Sequence, residues 1–305
     1  MSTEISLQVS DDFHGKRLDA ALSGLIANYS RSALRVLIDE GKVSVDGQVQ
    51  LKPSFKVSSG QTLVVDMPEP ENLEAQPQDL PLNIVYQDDD VLVINKPIDF
   101  VVHPGAGVKD GTVMNAVLFH FPQTVNLARA GIVHRLDKDT SGLMVIALSH
   151  NAQFALVKAI SKHLVVREYE AIVEGELTAG GTVDAPIGRD MHMRTRMAVV
   201  PEGMGREAVT HYRVMEHFRA HTRLKLRLET GRTHQIRVHM ASLHHPVAGD
   251  PVYGPRNCIT SLHGQCLHAK TLGFVHPATG EWMSFDSELP DYFTHFLASL
   301  RRGRT

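Results

Sequence analysis

From Met67 to Leu82 the chain reads MPEPENLEAQPQDLPL, a stretch with four prolines and little apolar periodicity. Proline fixes φ and carries no amide hydrogen, so a segment this rich in it is neither a helix interior nor a central strand. A hydrophobic core cannot run through it, and the chain is expected to fold as separate units on either side. The expected layout is a small unit over residues 15–75, an acidic linker and the start of a second unit over 76–90, and the large unit itself over 83–305.

Each unit has the material for its own core: of 305 residues, 43% are hydrophobic and 21% charged. No apolar run approaches the ~20 residues of a membrane span, and MSTEISLQVSDD lacks the basic and apolar regions of a signal peptide. The expectation is a cytoplasmic protein with no membrane partner. Cys258 and Cys266 make neither a disulfide framework nor a zinc set. A net charge of −3 does not advertise nucleic-acid binding, but its distribution does. Gln61 to Asn95 contains acids and no Lys or Arg, which leaves the flanking parts more basic than the average.

In the first unit Leu18, Leu22, Leu25 and Ile26 fall on one helical face. A second helix, capped by Ser30 or Ser32, turns Leu34, Leu37 and Ile38 inward and stops at Gly41. KVSVDGQVQL alternates around Asp46-Gly47, a strong hairpin signal, and QTLVV supplies a third strand. Lys16, Arg17, Arg31, Arg35, Lys42, Lys52 and Lys56 surround this small core, with Arg31 and Arg35 on one side of the second helix. Taken alone, such a charge run reads as a solvated face. RLDAAL, SRSALRVLIDEGKVSVDG and KPSFKVSSGQ, however, resemble the S4 domain, a small αα-plus-hairpin RNA-binding module. The resemblance implies phosphate-binding roles for Arg31, Arg35 and Lys42.

Beyond Asn83, short strand-like runs (NIVYQ, VLVINKP, LMVIAL, EYEAIVEG, VTHYRVME, TRLKLRLET) alternate with helical stretches (TVMNAVLFHF, NAQFALVKAISKHLV, THQIRVHMASL). Strands outnumber helices and several follow one another through short turns. The fold class expected is therefore α+β, a large mixed and mainly antiparallel sheet flanked by helices, preceded by the small αα-β unit. GAGVKDG at 105–111 lacks the spacing of a phosphate loop and is read as a plain loop.

Two charged segments stand out in the large unit. In GIVHRLDKDTSGLMVIAL, an extended GIVHRLD would send Ile132, His134 and Leu136 to one face and Val133, Arg135 and Asp137 to the other. Asp137 would then sit at a strand end, where a loop meets a rigid sheet and where reacting groups are commonly mounted. The alternative is a carboxylate that caps the Thr-Ser-Gly turn, a role that Asp139 also fits.

In LETGRTHQIRVHMASLHHPVAGDPVYG, Thr233 can cap a helix whose entrance holds Arg232 and whose first turns hold Gln235 and Arg237. An arginine at a helix N-terminus is opposed by the helix dipole and needs an anionic partner, either a carboxylate or a phosphate. His234, His239, His244 and His245 lack an acid or cysteine at ligand spacing, so no metal is expected; they read as hydrogen-bonded or RNA-facing.

HRLDKDTSG, REYEAIVEG, TGRTHQIRVHMASLHHPVAGDPVYG and LHAKTLGFVHPATG resemble, in order and spacing, the pseudouridine synthases of the RluA family. Arg167 stands where many members have Lys. The likeness spans roughly residues 15 to 295.

It implies an isomerase that detaches uracil from C1′ of its ribose, rotates it and rejoins it through carbon, with no cofactor. The implied catalytic residues are Asp137, acting at C1′ or as base toward C2′, Arg232 as its cationic partner, and Tyr169 against the flipped ring. Tyr169 also reads as an ordinary core aromatic. Arg135 is the candidate to fill the vacated stack. His134, Gln235 and Arg237 join Arg135 at the RNA. Ile236 and Val238 line the pocket or belong to the helix core. Arg189, Arg194, Arg196, Arg206, Arg213, Arg219, Arg223, Lys225 and Arg227 supply a basic surface. The implied partner is 23S rRNA or a precursor of the large ribosomal subunit, with the helix 69 stem-loop as target, and the protein is expected to be a monomer. The other readings are a catalytically silent RNA-binding or ribosome-assembly factor, and a synthase aimed at another rRNA or tRNA uridine.

Overall fold

A computed structural model of the chain describes residues 3–26, 31–67, 75–105, 107–191, 193 and 196–303. It divides into two compact units, Met1–Glu74 and Ala75–Thr305. Ser30, Arg194 and residues 68–74 of the proline-rich connector lie outside the described residues, as does the side chain of Ser32.

The first unit runs β1 (Thr3–Gln8), α1 (Leu18–Leu25), α2 (Arg31–Asp39), β2 (Val43–Val45), β3 (Gln48–Val49) and β4 (Thr62–Met67). Its sheet has the order β1-β4-β2-β3. Asp46 and Gly47 both take positive φ, 48° and 80°, so the two-residue turn of the β2–β3 hairpin has the twist that such a hairpin needs. Leu18, Leu22, Leu34, Ile38, Val43, Leu63 and Val65 form the core. The sequence reading began at residue 15 and missed β1, whose edge pairing to β4 runs from Thr3↔Met67 to Gln8↔Thr62. Arg31 donates to the buried Asp19 at 3.0 Å, Arg35 lies 3.8 Å from Asp39, and Lys42 lies 3.0 Å from Glu40.

The second unit runs β5 (Ile84–Gln87), β6 (Val91–Lys96), α3 (Val113–His120), β7 (Ser141–Ala147), α4 (His150–Ser161), β8 (Val166–Glu174), β9 (Gly181–Asp184), β10 (Ile187–Arg189), β11 (Met197–Val199), β12 (Val209–His217), β13 (His221–Leu228), α5 (Gln235–Ser242), β14 (Leu267–Val275), β15 (Trp282–Asp286) and α6 (Asp291–Arg302). Nine strands form one sheet in the order β5-β6-β7-β14-β8-β13-β12-β9, with β15 also on β14, and β10–β11 make a separate ribbon. Every ladder is antiparallel except β7–β14.

Alternating residues of the central strands feed two cores. Leu92, Ile94, Met144 and Ile146 face the side covered by Val113, Ile236, Met240 and Phe293, from α3, α5 and α6. Val91, Val93, Leu143 and Val145 face the side covered by Ala152 and Leu156 of α4. A strand buried on both faces reads as a continuous apolar run, which is why LMVIAL carries no polar alternation. No described helix is long and apolar enough to cross a membrane.

The chemistry is positioned by the one parallel contact. β7 and β14 share only two register pairs, His268↔Ser141 and Ala269↔Gly142. From Thr271 onward β15 takes over that edge of β14. The edge of β7 beyond Gly142 is thereby left free, and the segment before it folds back along it. Ile132 bridges to Ile146, and the ring Nε2 of His134 accepts the Val145 amide at 3.0 Å. Both approaches require glycine. At Gly131 (φ 78°) a Cβ would fall on Ala147 O, and at Gly142 (φ 118°) one would fall on the Ala269 backbone.

Candidate active site

Residues 132–137 are not the regular strand expected from their alternation. Of these only Ile132 makes a β-bridge, because the edge of β7 is taken up at Val145 by a side chain rather than by a ladder. The period-two sorting therefore does not apply. Leu136 is buried, Arg135 is exposed, and Asp137 begins a turn that precedes β7. That turn is closed by its own backbone, Thr140 N donating to Asp137 O at 3.1 Å, and no described side-chain cap from Asp139 contributes. The Lys96 ammonium, in the interior, donates to Pro97 O, Phe100 O and Lys138 O at 2.7, 2.9 and 2.9 Å and so ties the loop after β6 to the turn that carries Asp137.

Asp137 meets Arg237, not Arg232. Arg237 Nη1 donates to Asp137 Oδ2 at 3.0 Å, while its Nε and Nη2 hold Asp250 at 2.7 and 2.9 Å. Asp250 is fully buried, and its Oδ1 also accepts the amides of Val252 and Tyr253. Burial alone would lower the basicity of the Arg237 guanidinium, but the hydrogen bonds to Asp250 and the charge of Asp137 outweigh it and raise the pKa.

The expectation for Arg232 fails on helix register. Helix α5 begins at Gln235 after His234, which is left-handed (φ 57°) and makes no side-chain cap, so Thr233 is not the cap and Arg237 is the arginine in the first turn. The rule that such an arginine needs a carboxylate holds for the residue five positions further on. Arg232 instead donates through Nε to Glu207 O at 2.8 Å.

Three other expectations change for the same reason, that the side chain is already committed within the protein. Gln235 spends its amide on Arg232 N, Thr230 Oγ1, Val209 O and Thr210 Oγ1, so it fixes the entrance to α5 instead of reaching RNA. Arg237, expected on RNA, carries the two carboxylates. His134 gives its ring nitrogen to Val145, and burial pushes its pKa down to about 3, so the ring is neutral at pH 7.

Around the Asp137 carboxylate lies a cavity of about 730 Å³. Its lining includes Arg135, Leu136, Tyr169, His234, Ile236 and Arg237, with Arg129, Arg167, Arg206 and Arg232 also on the wall. Tyr169 stands on β8 between Leu226 of β13 and Ala269 of β14, a register row that continues through Gly142 of β7 to Lys96 of β6. The ring thus belongs to the core and also walls the cavity. Burial raises the Tyr169 pKa, with Arg167 opposing and Asp137 reinforcing the shift. His234 Nδ1 pairs with Tyr253 Oη at 2.9 Å and Nε2 lies 4.0 Å from Asp137 Oδ1; burial lowers its pKa against the pull of Asp137. Ile236 lines the cavity, whereas Val238 packs in a separate cluster with Ile187 and Ala208.

Asp250 and Tyr253 were not singled out from the sequence. Their signal was the Asp-Pro-Val-Tyr-Gly run, whose aspartate can accept amides two and three residues on. Of the basic surface, Arg223 pairs with Glu170 and Lys225 with Glu168, while Arg206, Arg213, Arg219 and Arg227 are exposed. Among the described residues no group of three His, Cys, Asp or Glu could hold a metal. His239 and His245 are hydrogen-bonded to Thr210, Ala185 and Glu174.

The comparisons agree on one relationship. A family model described as RNA pseudouridylate synthase matches residues 90–242, and a model of the S4 domain matches residues 16–63. The chain is 53% identical to ribosomal large subunit pseudouridine synthase D of Vibrio vulnificus (strain CMCP6), over 98% of this chain and 95% of that protein. It is 48% identical to the protein of the same description from Escherichia coli (strain K12), over 98% and 94%. Among solved structures it resembles human RNA pseudouridylate synthase domain containing 4, at 27% identity and a TM-score of 0.57, covering 72% of this chain and 93% of that one.

Proposed function

The chain belongs to the RNA pseudouridylate synthase family, and from that premise we propose that it converts uridines of large-subunit ribosomal RNA to pseudouridine, with Asp137 as the essential carboxylate. The observation that carries the reading is the 3.0 Å contact between Asp137 and Arg237 on the wall of a nucleotide-sized cavity. Relatives covering nearly the whole chain are named for the large ribosomal subunit, which supports rRNA as substrate. The helix 69 stem-loop is the target proposed within it.

In the reaction the bond from N1 of uracil to C1′ breaks, the ring turns within the cavity, and C5 bonds to C1′ while its hydrogen leaves as a proton. Substrate and product are isomers, so no outside group is consumed. Asp137 serves either as nucleophile at C1′ or as base toward C2′. Because the displaced base itself returns, one carboxylate suffices where glycoside hydrolysis uses two. Tyr169 lies against the everted ring, Ile236 packs its edge, and Arg135, exposed at the cavity mouth, fills the gap left in the RNA stack. Arg31, Arg35 and Lys42 of the S4 domain hold rRNA phosphates; the partners of Arg35 and Lys42 are surface acids of the kind that contribute little, so exchange for phosphate costs little there, while the buried Asp19 that Arg31 would release keeps Arg17.

The test is a map of pseudouridines in ribosomal RNA from cells lacking the protein. Sites missing from 23S rRNA and restored by the purified enzyme support the reading. Loss confined to transfer RNA would redirect it, and no loss anywhere would favour a silent assembly factor.

A further inference from the structure

Away from Asp137 the same cavity has a wall on which several arginines, Arg129, Arg167, Arg206 and Arg232 among them, face one acid, Glu207. Arg167, on β8 two residues before Tyr169, is only 6% exposed. Its Nη2 donates to Glu229 O at 2.9 Å, but its Nε is buried with no hydrogen-bond partner among the described residues. No described carboxylate lies within 4 Å of Arg167 or of Arg232, whose Nε is spent on a main-chain oxygen. The two guanidiniums oppose each other electrostatically. His163 shares the same Glu229 oxygen at 2.5 Å, and Arg129 and Arg206 extend the wall.

A buried guanidinium with no counter-ion is costly, and a second one beside it makes the cost greater. The Asp137–Arg237–Asp250 triad shows how this protein treats an arginine that is to be neutralised internally: it supplies two carboxylates. Arg167 and Arg232 receive none. Gly231 keeps the space open, because a Cβ there would lie 2.6 Å from Arg167 Nη1. The anion is therefore brought by the ligand, and an RNA strand brings one phosphodiester with each nucleotide.

We propose that Arg167 and Arg232 form a phosphate subsite that takes a phosphodiester adjacent to the everted uridine. The proposal rests on the RNA-isomerase reading above and adds a ligand group to it. The planar guanidinium fork suits two phosphate oxygens, which gives the subsite a positioning function besides charge.

The test uses full-length enzyme and a stem-loop RNA, with Arg167→Gln, Arg232→Gln and Arg167→Lys. Each Gln variant should weaken RNA binding by roughly tenfold and flatten the log–log dependence of affinity on salt by about 0.7 for one lost single-strand contact. The loss should appear in KM more than in kcat, and Arg167→Lys should recover most of the salt slope. A methylphosphonate placed next to the target uridine should weaken binding to wild type but not further weaken binding to Arg232→Gln. An unchanged salt slope in Arg232→Gln, or additive losses with the methylphosphonate, would overturn the subsite. If wild type forms no pseudouridine at all, the isomerase reading itself falls, a result separate from either. Because Arg232 is half-buried and packs no core, its variant keeps the test open should Arg167→Gln fail to fold.

Discussion

Asp250 and Arg237 meet through two nearly parallel hydrogen bonds of 2.7 and 2.9 Å, and this leaves Arg237 Nη1 aimed at Asp137. Asp250 does not line the cavity, yet it fixes the group that does. Asp250→Asn keeps the shape and removes the charge, leaving Arg237 with one acid in place of two. Single-turnover rates should fall roughly 100-fold, the cost of a misplaced catalytic constellation, and denaturation should show a loss of about 3 kcal/mol for a broken buried pair. A variant with wild-type turnover would show that Asp250 is structural only.

Arg237→Lys preserves the charge but cannot span two carboxylates with a fork. The expected result is a fall in kcat of about 100-fold or more, with RNA affinity changed by no more than about threefold, since the partners of Arg237 are carboxylates and not phosphates. A loss confined to affinity, seen by comparing binding with single-turnover rates, would contradict this.

Gly142→Ala tests the framework. The residue has φ 118° and sits where β7 crosses β14, so a methyl group meets the Ala269 backbone in a conformation that L residues avoid. Destabilisation by about 4 kcal/mol or more, or failure to fold, is expected in urea denaturation. A change below about 1 kcal/mol would mean that the crossing tolerates separation.

Much of this site was legible before the structure, and the limits of that legibility are physical. Asp137 and Tyr169 could be found mainly because HRLDKDTSG and REYEAIVEG resemble family motifs; pattern alone left Asp137 open as a turn cap and Tyr169 as a core aromatic. The partner of Asp137 could not, because it depends on where α5 begins: a start at Thr233 favours Arg232, whereas the left-handed His234 shifts the first turn to Arg237. The segment 132–137 alternates like a strand but needs a free edge, and the edge of β7 offers one bridge and one side chain. Strands β1, β9, β10, β11, β14 and β15 were missed as well. Their order in the sheet comes from pairings distant in sequence, such as β1 with β4, that local periodicity does not encode.

Acid should destabilise the protein through buried neutral histidines. Burial pushes the pKa of His134 down to about 3 and those of His103 and His268 down to about 4, against 6.5 for a free side chain. Between pH 6.5 and 4 the unfolded chain binds these protons and the folded protein does not, so stability falls as pH falls through that window. Denaturation midpoints measured across it should drop steadily, and His134→Gln should remove about one proton from the slope. A flat profile would mean that these rings titrate in the folded protein as they do in the unfolded chain.

Removal of residues 1–74, the first compact unit, separates anchoring from chemistry. The truncated enzyme should bind ribosomal RNA more weakly, with a shallower salt dependence, and still isomerise uridine in a short stem-loop. Complete inactivity of a folded second unit would put part of the site in the first.

The central claim is that one carboxylate, held by Arg237, performs the exchange. Release of tritium from RNA labelled at C5 of uridine measures that exchange directly, because the C5 hydrogen leaves only when carbon replaces nitrogen at C1′. Wild type should release label with turnover, and Asp137→Asn should release none above background while still binding the RNA. Equal release by the two proteins would contradict the account.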